Sequence, residues 1–99
     1  MSFRVASDVA VVSIPNSITM INSYTFAFCE SLTSVTIPNS VITIGNNAFN
    51  RCTNLSSVTI PNSVKNVDYS AFCDCKKLTS ISIPNSITSI GTGAFAKCI

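Results

Sequence analysis

The sequence predicts a solenoid of about four 23-residue coils, mixed α/β but dominated by β, with a parallel β-sheet, short second strands and short helical turns. Two observations carry that expectation. The segment Ile-Pro-Asn-Ser occurs four times, at Pro15, Pro38, Pro61 and Pro84, so each copy begins 23 residues after the last. Apolar residues recur in register with those prolines. A single unit of this size cannot bury its own apolar side chains, whereas stacked units bury them against one another. Residues 1–99 read as one domain, with repeat units at approximately 6–28, 29–51, 52–74 and 75–97.

The core is read down the columns. Val9, Leu32, Leu55 and Leu78 form one, and Val12, Val35, Val58 and Ile81 a second. Ile14, Ile37, Ile60 and Ile83 follow, then Ile18, Val41, Val64 and Ile87, and finally Ile21, Ile44, Val67 and Ile90. Alternation such as Val35-Thr36-Ile37 has the period of a strand buried on one face. Proline directly after it removes a donor and fixes φ, so the rung ends there and Asn-Ser makes the turn. A second short extended piece leads to Asn22, Gly45, Asp68 and Gly91, residue types that tolerate positive φ, and predicts a left-handed corner. Phe26, Phe49, Phe72 and Phe95 follow small residues and predict a short helical turn that packs one ring inward per coil, forming an aromatic spine.

Composition narrows the function. Hydrophobic residues make up 46 % of the chain and charged residues 10 %, with a net charge of +2. Such a balance excludes charge-driven disorder and gives no electrostatic footprint for nucleic acid or an acidic membrane. No apolar run is long enough to span a bilayer, and Asp8 interrupts the only candidate leader, so a soluble chain is expected and its compartment is left open. The chain has no histidine, its four acids are scattered, and no Ser or Cys has a recognisable base nearby. An enzyme is not expected, nor a cofactor or metal.

At this point Cys29-x-x-Leu32-x-x-Val35-x-Ile37-Pro38-x-x-Val41-x-x-Ile44-Gly45-x-x-Ala48-Phe49-x-x-Cys52 resembles the BspA-like class of leucine-rich repeat, over nearly the whole chain. The resemblance implies a leucine-rich-repeat solenoid, right-handed, with the parallel sheet on its concave face. It also implies non-catalytic binding of macromolecules at a cell surface. It names no partner. Ala6 and Val9 depart from the pattern, which makes the first unit the loosest.

Cys29, Cys52, Cys75 and Cys98 share a column and are expected to be small buried apolar groups, with Cys73 partly exposed. Arg51, Asp74 and Lys97 predict a surface ion-pair ladder, and Asn16, Asn39, Asn62 and Asn85 a structural amide column. The candidate binding face is the outward side of the strand, where Ser34, Thr36, Ser57, Thr59, Ser80 and Ser82 repeat on successive rungs. A protein partner of unknown identity is expected there. The alternative is a structural solenoid that stacks end to end as a dimer or filament through Phe3, Val12, Phe95 and Cys98. A remote alternative is an ice-binding hydroxyl array.

Overall fold

The computed structural model describes residues 9–79 and 81–97. Phe3, Ser80 and Cys98, named above as candidate contacts, lie outside the described residues. Seven short strands follow one another: β1 Val11–Ser13, β2 Met20–Ile21, β3 Ser34–Thr36, β4 Thr43–Ile44, β5 Ser57–Thr59, β6 Asn66–Val67 and β7 Ser89–Ile90. They form two parallel sheets of order β1-β3-β5 and β2-β4-β6-β7. Every register is one repeat: Val12 pairs with Val35 and Val35 with Val58, while Ile21 pairs with Ile44 and Ile44 with Val67. The chain is therefore a solenoid of parallel rungs with extents of 28 × 28 × 19 Å. The first sheet shows three rungs and the second four, because residues 81–83 form no strand among the described residues.

Alternation does what the pattern requires. The middle residue of each first-sheet strand, Val12, Val35 or Val58, is buried, and its neighbours Ser13, Thr36 and Thr59 are exposed. Between the sheets lie the fully buried Leu32, Leu55, Val41, Val64, Ile44 and Val67. Phe26 and Phe49 stack with centroids 4.9 Å apart and planes 1° from parallel, and Phe49 and Phe72 repeat this at 4.9 Å and 4°. Phe72 and Phe95 continue the spine at 5.3 Å. Coil spacing sets that distance, since adjacent rungs lie about 4.8 Å apart.

The third side of each coil departs from expectation. No helix occurs among the described residues; residues 22–29 form a succession of tight turns. Thr25, Ala27 and Cys29 donate their N–H groups three residues back, to Asn22, Tyr24 and Phe26 at 3.1–3.2 Å. The intervening Tyr24, Phe26 and Phe28 donate to Asn46, Ala48 and Asn50 of the next coil at 2.8–3.1 Å. Tyr24 and Phe28 have φ of 63° and 64°, at the third position of the turns 22–25 and 26–29, where a type II turn requires it. A left-handed residue every four positions breaks a right-handed helix before its first full turn. The same conformation recurs at Asn47 and Arg51, Ser70 and Asp74, and Gly93 and Lys97.

The left-handed corner is thus displaced two residues from the predicted column, since Asn22, Gly45, Asp68 and Gly91 have no positive φ. Gly45 and Gly91 answer a different constraint. A Cβ on Gly45 would stand 2.7 Å from the Ile21 carbonyl oxygen, and one on Gly91 would stand 2.5 Å from the Tyr69 nitrogen. Without a side chain, the Gly45 N–H donates to Ile21 at 2.8 Å and the Gly91 N–H to Val67 at 2.7 Å. Glycine here permits close approach of two backbones.

Candidate functional site

Outside the core, the structure forms a groove of 520 Å³ across β3 and β5 and the turns that follow them. Ser34, Thr36, Ser57 and Thr59 contribute their outward positions, and Val35, Ile37, Ile60, Pro61, Asn39 and Asn62 complete the lining. Four of the six residues predicted for the binding face therefore come together. Ser34 faces Ser57 and Thr36 faces Thr59 in the ladder, so the hydroxyls form a grid about 4.8 Å across strands and about 6.6 Å along them. Ser82 is exposed and lies outside the groove. No charged residue lines it.

Proline shapes the groove's end. Pro61 cannot donate to the coil beneath, so the last bond of each rung stands alone. Between the first two coils it holds, with the Ile14 N–H donating to the Thr36 carbonyl at 3.2 Å. In the next pair of coils Thr36 pairs with Thr59, so the ladder runs to the last residue of the strand.

Sequence reasoning assigned the amide column a structural role and missed its neighbour. Asn39 and Asn62 are exposed, and their side chains make no hydrogen bond among the described residues. The serine one position on does the stapling: Ser40, Ser63 and Ser86 donate their hydroxyls to the carbonyls of Ile18, Val41 and Val64, each at 2.7 Å. A serine column was visible in the repeat; what hid its role was that the more polar asparagine stood beside it. The ion-pair ladder is also absent among the described residues. Arg51 instead lies over the Phe28 ring, 5.7 Å from its centroid. Left-handed backbone at Phe28, Arg51 and Asp74 aims their side chains outward, where a solvated ion pair gains little.

The cysteine column is apolar filling. Cys29, Cys52 and Cys75 are buried free thiols and Cys73 is half-buried. Cys52 and Cys75 donate to the carbonyls of Phe26 and Phe49 at 3.0 and 3.1 Å. Burial pushes the Cys52 thiol up to about 12, with the neighbouring Cys29 adding to the rise. Burial likewise raises Cys29. Such thiols are poor nucleophiles at neutral pH. Cys73 lies 3.9 Å from the Asp74 carboxylate. The arrangement offers hydroxyl, amide and main-chain hydrogen bonding and no activated nucleophile; among the described residues no group of acids and thiols is placed to hold a metal.

Of the proposed end contacts, Val12 is 7 % exposed and Phe95 half-buried. The described ends differ. Ile21 and Phe26 of the first coil are buried, whereas Ile83 and Ile90 of the last are 42 % and 53 % exposed.

The fold has relatives. A leucine-rich repeat protein from Bacteroides ovatus is 35 % identical, with a TM-score of 0.86 over 90 % of this chain and 26 % of its own. A leucine rich cell surface protein from Faecalibacterium prausnitzii is 36 % identical, with a TM-score of 0.90 over 96 % of this chain and 26 % of its own. The leucine-rich repeat protein of T. pallidum is 28 % identical, with a TM-score of 0.77 over 89 % of this chain and 54 % of its own. The chain thus spans about a quarter of the length of the first two. Among curated proteins none matches. No helix among the described residues is long and apolar enough to cross a membrane. Leucine-rich repeat proteins in general mediate protein interaction or scaffolding. The model of the BspA type leucine rich repeat region matches residues 2–99 in six copies, and the chain belongs to that family.

Proposed function

We propose that the chain is a non-catalytic binding module that receives a protein partner in the groove across β3 and β5. One observation carries this reading: the outward hydroxyls repeated along the sequence converge in the structure on a single concave surface, Ser34, Thr36, Ser57 and Thr59 together. Residues whose only role was solubility would not have to share a groove. A cell-surface location accords with the similarity to the leucine rich cell surface protein of Faecalibacterium prausnitzii. A photo-crosslinking residue at Thr59, compared with one at Lys65, tests the reading in cells or extracts. Discrete adducts from position 59 that Thr36→Lys suppresses are expected. Equal labelling from both positions would overturn it.

A further inference from the structure

We infer that the turn side of the coils carries a second site, separate from the groove, in which the rings of Tyr24 and Tyr69 flank the side-chain amide of Asn46 and take a neutral glycan chain. Both rings are exposed, 57 % and 55 %, and neither makes a ring contact or a side-chain hydrogen bond among the described residues. The fold does not require them. At the same places on other coils stand Asn47, Ser70 and Gly93 for Tyr24, and Ser23, Asn46 and Thr92 for Tyr69. Tyr24 also holds φ at 63°, a conformation that disfavours a bulky side chain, and strain of that kind collects where a residue serves a site.

Asn46 joins the two tyrosines from the coil between them. Its carbonyl accepts the Tyr24 N–H at 3.1 Å, and its Oδ1 accepts the Tyr69 N–H at 3.1 Å. A main-chain donor needs an oxygen in that place, so the amide is fixed with its NH2 exposed and without a partner among the described residues. Two coils separate the tyrosines, about 10 Å along the stack. A disaccharide unit has that length; the C–H faces of its rings stack on aromatic rings, and its hydroxyls accept from an amide N–H. Phe28, a neighbouring exposed ring, already lies beneath Arg51. Asp68 is the one charged residue in 22–25, 45–48, 68–71 and 91–94, which disfavours an anionic ligand. The polar amide between the rings interrupts the continuous apolar area that a protein hot spot needs.

Electrophoresis of the whole chain through native gels containing hydroxyethyl cellulose, xylan, mannan, galactan or glycol chitin, with polygalacturonate as the charged comparison, tests the inference. At least one neutral polysaccharide should retard the chain, and polygalacturonate should not. Tyr24→Asn and Tyr69→Asn each introduce the residue that the same column holds one coil away. Each should raise the polysaccharide concentration needed for half-maximal retardation about ten-fold, while the melting curve of Tyr24→Asn moves up. Asn46→Asp keeps the acceptor for the Tyr69 N–H and removes the donor, and should weaken binding about five-fold at unchanged stability. Thr36→Lys, in the groove, should leave retardation as it is. No retardation by any neutral polysaccharide, retardation by polygalacturonate alone, or retardation that both tyrosine variants keep would each overturn the inference. A photo-crosslinking residue at position 69 that captures a protein in place of polysaccharide would assign this side to protein recognition and overturn it as well.

Discussion

The thiol of Cys52 donates to the carbonyl oxygen of Phe26, 3.0 Å away on the preceding coil and 26 residues earlier in the chain. The bond exists only while the sulfur keeps its proton, and burial holds that proton to about pH 12 against 9.0 for a free thiol. Above pH 9 the unfolded chain releases this proton and the folded chain does not, so the native state binds more protons and stability falls as pH rises. Below pH 9 the contribution is constant. Chemical denaturation at intervals from pH 8 to pH 11 should show a loss approaching about 1.4 kcal/mol per pH unit from this group. Cys52→Ala, less stable at neutral pH, should show a shallower slope, and identical slopes would place the alkaline sensitivity elsewhere.

Phe49 is the best test of the core. Its ring lies between Phe26 and Phe72 at 4.9 Å on each side and is fully buried. Phe49→Ala leaves a cavity bounded by two rings that the coil spacing prevents from closing, and should cost about 3–5 kcal/mol. In a solenoid this small that removes most of the folding free energy. A thermal midpoint within a degree or two of the parent would contradict a continuous spine.

Ser63 and Asn62 stand next to each other in the repeated turn and should behave oppositely. The Ser63 hydroxyl donates to the Val41 carbonyl at 2.7 Å, so Ser63→Ala leaves that acceptor unpaired between coils and should cost about 1–2 kcal/mol. Asn62 is exposed in the groove, and Asn62→Ala should change stability by less than about 0.5 kcal/mol. Denaturant titration of the two variants decides. Equal effects would restore the amide column to a structural role.

How much of this was legible depended on the length scale. Register was, because Val12, Val35 and Val58 fall one period apart and parallel rungs have no other way to pair. The Phe26, Phe49 and Phe72 spine was legible for the same reason, as were four of the groove's hydroxyls. What the columns did not show was backbone conformation within a column. Tyr24 and Phe28 are aromatic residues that give no sign of positive φ, and the small residue before Phe26 suits a helical turn as well as a succession of tight turns. Nor could a column distinguish Ser63, which turns back toward the previous coil, from Asn62, which faces solvent.

The last prediction separates the two backbone demands on the turn side. Gly45 has ordinary φ but no room for a Cβ, since the Ile21 carbonyl oxygen would lie 2.7 Å from it. Tyr24 has room, being 57 % exposed, but holds φ at 63°. Gly45→Ala should therefore push two coils apart and cost about 1–3 kcal/mol, and Gly45→Asn should be no milder, because tolerance of positive φ is irrelevant there. Tyr24→Asn should instead gain roughly 0.5 kcal/mol, since asparagine occupies the left-handed region at lower cost than an aromatic residue, and Asn47 already does so one coil later. Denaturant midpoints for the three variants test both halves. If Gly45→Asn were tolerated while Gly45→Ala was not, conformation rather than space would govern that position, and the close contact between the coils would have to relax without loss.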